Sequence, residues 1–181
     1  MRNFVFATTA LLALSLPLAA QRGGSANRAV PKATQAIEFA NGSSLEIKYR
    51  SLSWAQGKFM DSLKSEAGRE RTNKDLRANP TGTLTVAGDC SIGGTAIKAG
   101  SHKLYFEVDA DVAFHLVLED DAGTQVKVKL ALAEQESMNT RLTLVLTAGK
   151  GDTDGSLAVA FGTMACSVAV SAAKATPAKK G

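Results

Sequence analysis

Two histidines, His102 and His115, and the acid pairs Asp109 and Asp111, Asp120 and Asp121, and Asp152 and Asp154 are the side chains suited to metal binding or acid–base work. A zinc or nucleophile site needs its imidazoles to converge on one point. A hairpin with Val108 opposite Val112 across Asp109-Ala110-Asp111 pairs Tyr105 with His115 and Leu104 with Leu116. His102 then has the parity of the buried face and His115 that of the wet face, so the two point to opposite sides of one sheet. Asp152-Thr153-Asp154-Gly155 starts like a calcium loop, but no bidentate Glu follows in the twelve-residue register. The acids beside glycine and alanine at strand ends read as ordinary turn residues rather than a glycosidase pair. No catalytic residue, metal or cofactor is assigned.

Residues suited to binding are fewer. Tyr49, Trp54 and Tyr105 offer flat apolar platforms with a polar edge, which fit sugars, peptides or other planar groups, against the plainer reading of core packing. Cys90 and Cys166 are the chain's two cysteines, and in an exported protein they form a candidate disulfide between the central module and the last strand. Such a bridge would contribute about 4 kcal/mol in the chain-entropy model. The other reading is two buried free thiols.

These residues sit on elements that the apolar pattern predicts. From Thr83 to Leu118, Leu84 and Val86 alternate with threonines, Gly88-Asp89 and Gly93-Gly94 break the run, and Leu104, Phe106, Val108, Phe114, Leu116 and Leu118 keep one parity. That is half-buried antiparallel strand. Ile37 and Phe39, the Asn41-Gly42 turn, and Leu45, Ile47 and Tyr49 make an opening hairpin. Phe59, Met60, Leu63 and Ala67 fall at helical spacing and predict one short amphipathic helix over an end of the fold. The charged run Arg69 to Asp75 has no apolar period and reads as a solvated loop, and Ala133 to Thr140 as a polar connection. Val126 to Leu132, Leu142 to Leu146, Leu157 to Phe161, a bend at Gly162-Thr163 and Cys166 to Val170 add further strands. Roughly eight to ten strands at this spacing predict an all-β antiparallel sandwich.

The chain has 181 residues and a formal charge of +4. Its first 20 residues, with Arg2, the apolar run Phe4 to Leu16 and a small-residue end at Ala19-Ala20, have the layout of a signal peptide. Residues 21–34 read as a flexible lead-in, 35–173 as a single domain and 174–181 as a disordered basic tail. The domain itself carries 14 basic against 17 acidic residues, a net of −3, because the basic excess lies in the ends. A duplex-binding protein concentrates its lysines and arginines on the folded face, so nucleic acid is not an expected partner. No stretch of the mature chain has transmembrane length.

The run Gly82-Thr83-Leu84-Thr85-Val86 with Ile92-Gly93-Gly94-Thr95-Ala96-Ile97-Lys98-Ala99-Gly100-Ser101-His102-Lys103-Leu104-Tyr105 resembles a secreted bacterial family, domain of unknown function 2911. Members carry a threonine-rich strand, a G-x-x-[LI]-x-A-G-x-[YH]-x-L turn and a Leu-rich closing hairpin. The likeness extends loosely to Lys127-Val128-Lys129 and to Leu142 through Val170. Of the family's Y-G-R-P segment only Tyr49 remains, and of its W-R-x-G-A-N-E motif only Arg77, Ala78 and Asn79. The chain is similar to a divergent member, and through this likeness alone Arg77 and Asn79 join the candidate ligand-binding residues. The resemblance implies export and a β-sandwich and no reaction.

The expected function is that of an exported, periplasmic or extracellular binding module for an envelope or extracellular partner or a small ligand. The alternative is a hydrolase or metal-dependent enzyme with its site on strand-end loops. A purely structural envelope component is a third possibility. Sites must be found rather than assumed from a fold, and none converges in the sequence.

Overall fold

A computed structural model describes residues 30–53 and 58–173. The expected signal peptide, most of the lead-in, the tail from Lys174 and the candidate Trp54 lie outside the described residues.

Strand β1 (Lys32–Glu38) and strand β2 (Ser44–Arg50) pair antiparallel across the Asn41-Gly42 turn. Gly42 takes φ +80°, a conformation that costs glycine little, and Asn41 Oδ1 accepts from Ser43 N at 3.0 Å. Strand β3 (Gly82–Ala87) follows two helices, and the short strands β4 (Cys90–Ile92) and β5 (Thr95–Ile97) follow β3. Strands β6 (Gly100–Val108), β7 (Phe114–Glu119) and β8 (Gln125–Leu130) form a meander, and β9 (Ala133–Ala148) and β10 (Asp154–Ala172) a long hairpin.

All the strand pairings are antiparallel, and they build a six-stranded sheet in the order β1-β2-β3-β6-β7-β8 and a four-stranded sheet in the order β5-β4-β10-β9. The chain leaves the first sheet after β3, lays β4 and β5 on the second, and returns to place β6 beside β3. This is the expected antiparallel β-sandwich. Its inner faces are the alternating apolar residues: Leu45, Ile47, Leu84, Leu104, Leu116 and Leu118 on one side, Ile92, Ile97, Leu144, Leu157 and Val159 on the other, all buried. Each such side chain contributes about 1.5–3 kcal/mol of burial.

Several local expectations differ from the structure. The β6–β7 hairpin pairs Val108 with Phe114 and Leu104 with Leu118, so Tyr105 faces Val117 and His115 faces Glu107. The turn is two residues longer than parity alone suggested, because Asp109 Oδ1 holds a wider loop by accepting from Asp111 N and Ala113 N. Two helices replace the single one: α1 (Lys58–Leu63) and α2 (Glu66–Ala78), the second covering the run expected to be a loop. Ser65 caps α2 by accepting from Gly68 N at 3.1 Å, and Arg, Glu, Lys, Leu and Ala hold helix without an apolar stripe. Ala133 to Thr140 is strand rather than connection, paired with β10 and largely exposed. Gly162, at φ +56°, marks a register shift inside a continuous β10 rather than a break between strands. The lead-in ends sooner than expected, since Lys32 already pairs with Arg50.

Cys90 and Cys166 are both free, so the expected bridge is not formed. Cys90 lies opposite Ala172, and Cys166 is six residues back along the same strand, roughly 20 Å at about 3.3 Å per residue. Bridged cysteines need Cα atoms within about 7 Å.

Candidate functional site

The outer face of the six-stranded sheet carries the polar side chains, and strand register decides which of them meet. Across the ladder Thr34, Lys48, Thr83, Lys103, Glu119 and Gln125 form one outward row. Helix α2 packs against β6 and extends Arg77 to this face. Tyr105, which points outward, is only 2% exposed. Its hydroxyl donates to Glu119 Oε2 at 3.1 Å.

Glu119 is the centre of this cluster. Its Oε2 also accepts from Gln125 Nε2 at 2.8 Å and faces Arg77 Nη2 at 3.2 Å, while Oε1 faces Lys103 Nζ at 3.4 Å. Hydrogen bonds from Gln125, Tyr105 and Lys103, with the charge of Arg77, hold its carboxyl below the usual range against the cost of burial. Burial first, and then the bond to Glu119, pushes the Tyr105 phenol up to about 12. Tyr105 and Arg77 thus meet on one carboxylate and lock α2 to the sheet.

The other expected binding residues serve the scaffold. Tyr49 is buried: its hydroxyl donates to Leu144 O at 3.3 Å and accepts from Leu144 N at 3.1 Å, joining the two sheets. Asn79 caps the end of α2, its N–H donating to Asp75 O and its carbonyl accepting from Arg50 Nη2 at 2.7 Å. His102 and His115 lie on opposite faces of the sheet. The buried His102 donates from Nε2 to Lys98 O at 2.9 Å, and His115 Nε2 meets Asp109 Oδ2 at 3.0 Å. Among the described residues no three His, Cys, Asp or Glu side chains converge to hold a metal. Burial, with Asp89 beside it, pushes the Cys90 thiol up to about 11, and burial raises Cys166 too, so neither is a ready nucleophile.

Concavities that could hold a ligand lie at two further places among the described residues. One is an apolar pocket of about 220 Å³ between the sheets at one end, with Phe106 and Phe114 on the first sheet and Leu142 and Phe161 on the second. Phe59 of α1 and Leu76 of α2 complete it, and the Phe114 and Phe161 rings lie 5.4 Å apart at 54°. The other is a wider groove of about 460 Å³ on the outer face, lined by Lys32, Lys48, Arg50, Thr81, Thr83 and Lys103 among others. Neither was assembled from the sequence. The sequence reads Phe106, Phe114 and Phe161 as core, Lys48 as wet-face alternation and Lys32 as part of the lead-in.

Among the described residues no helix is long and apolar enough to cross a membrane. Compared with known proteins, the chain matches no family model, no curated protein and no solved structure.

Proposed function

We propose that this chain is an exported, non-catalytic β-sandwich module that binds a small apolar ligand in the pocket at the end of the sandwich. The observation that carries the reading is the pocket itself, which is open to solvent and walled by Leu52, Phe59, Leu76, Phe106, Phe114, Leu142 and Phe161, with Ser53 as its polar residue. Walls of this kind with few polar groups are what ligand sites use, because burying apolar surface drives entry and the polar group orients. A volume of about 220 Å³ is below the roughly 300 Å³ at which drug-sized sites begin, so the ligand is a single ring or a short acyl chain. Export is supported by the leader-like run from Arg2 to Ala20.

The test uses neutral probes, toluene, indole and 1-hexanol, with melting followed by calorimetry. Binding to the native state raises the melting temperature with probe concentration. Leu76→Arg at the pocket wall is expected to remove that dependence. No stabilisation by any probe, or an equal shift in Leu76→Arg, overturns the reading.

A further inference from the structure

We propose that the groove on the outer face of the six-stranded sheet binds a phosphoryl oxyanion carried on a small polar body, at a site formed by Lys32, Arg50, Lys48 and Lys103. This is separate from the apolar end pocket and independent of it.

Strand order builds the site. Lys32 of β1 lies directly opposite Arg50 of β2, and Thr83 of β3 stands between Lys48 and Lys103 in the next row of the ladder. Like charges directly across a ladder destabilise it unless an anion sits among them. Among the described residues lining the groove none is acidic. Two carboxylates touch its lysines from outside: Glu46 lies 2.6 Å from Lys48 Nζ, and Glu119 lies 3.4 Å from Lys103 Nζ. Both lysines are more than half exposed in these pairs, where an ion pair contributes little and yields readily to a multivalent anion. Lys32 has no ion pair among the described residues.

Arg50 turns a basic patch into a site. The Arg50 guanidinium is fixed from one side, its Nη2 donating to Asn79 O at 2.7 Å and Pro80 O at 3.0 Å. An oxyanion supplies several acceptor atoms at once, and a guanidinium positioned in this way beside lysines matches phosphoryl chemistry. Free phosphate fills only part of about 460 Å³, which leaves room for the body the phosphoryl group is attached to.

The test is calorimetry and equilibrium dialysis on the mature protein at constant ionic strength, with chloride as the control anion. The probes are inorganic phosphate and glycerol 3-phosphate, with sedimentation on phosphatidylglycerol vesicles as a third arm. Glycerol 3-phosphate is expected to bind at least fivefold more tightly than inorganic phosphate. Lys32→Gln, a change at an exposed side chain, is expected to weaken binding about tenfold, and Arg50→Lys more. Binding to vesicles without binding of glycerol 3-phosphate would assign the oxyanion to a lipid headgroup and overturn the small-ligand form. No binding above chloride in any arm, or binding unchanged in Lys32→Gln, overturns the site.

Discussion

The side chain of Asn73 stands in for a strand beside Val108. Its Oδ1 accepts from Val108 N at 2.9 Å and its Nδ2 donates to Val108 O at 2.9 Å, the pair of bonds a neighbouring strand would make. A stand-in is needed because β3 stops pairing with β6 at Gly82 opposite Leu104, leaving the edge of β6 beyond Leu104 without a ladder partner. An unpaired backbone edge next to a buried residue is costly and also open to other chains. Asn73→Ala is therefore expected to cost about 1–3 kcal/mol in urea unfolding. Hydrogen exchange should accelerate at the Val108 amide, and an unchanged rate there would show that the edge is satisfied some other way.

Tyr49 performs the same service between the sheets. The outer edge of β9 is closed by the chain from Tyr49 to Ser53: the Tyr49 hydroxyl takes both polar groups of Leu144, Leu142 N donates to Leu52 O at 2.8 Å, and Ser51 Oγ donates to Leu142 O at 3.0 Å. Tyr49→Phe keeps the ring and leaves the two Leu144 groups unpaired, so a loss of about 1–3 kcal/mol is expected, with faster exchange at the Leu144 amide. Gly82, across the ladder from Tyr49, has no room for a side chain because a Cβ there would strike Lys48 O. Gly82→Ala should therefore destabilise even though it is a one-carbon change.

How the chain's pattern was readable follows from these contacts. Strands that bury one face announce themselves: the parity of Leu84, Leu104, Leu116 and Leu144 was visible and each is in the core. Helix α2 did not, because its apolar contribution is Leu76 alone, its other holds on the sheet are polar, through Asn73 and Arg77, and none of its residues is buried. Ala133 to Thr140 was hidden for a related reason, since it is mostly exposed and held by its ladder with β10 rather than by packing. The groove depends on long-range order. Lys32, Lys48 and Lys103 share outward parity, but only the sequence β1-β2-β3-β6 brings them together, and parity carries no information on which strand neighbours which. The end pocket is likewise assembled from four strands and two helices.

Acid sensitivity should trace to two carboxyls. Glu119 is held below the usual range chiefly by Gln125, and Asp109 chiefly by its bond to His115 and by the Ala113 amide. A carboxyl with a depressed folded pKa binds its proton less readily folded than unfolded. Its contribution is complete above the ordinary carboxylate range, near pH 4, and is lost as pH falls through the folded value. The melting temperature should thus fall on acidification below about pH 4. Glu119→Gln is expected to lower stability at neutral pH and flatten this acid limb, and a limb of unchanged steepness would move the effect to other acids.

The cysteines give a prediction that separates fold from chemistry. Both thiols are free, and Cys90, buried opposite Ala172 on β10, is pushed up to about 11. Near neutral pH Cys90 is therefore overwhelmingly thiol rather than thiolate, the nucleophilic form, and burial slows attack further. In the native protein, iodoacetamide should label Cys166, which is partly exposed, before Cys90. After unfolding without reductant, intact mass should show two labelled thiols per chain. A mass with no label added under those conditions would mean that the two cysteines are bonded, which requires β10 to shift by several residues against β4.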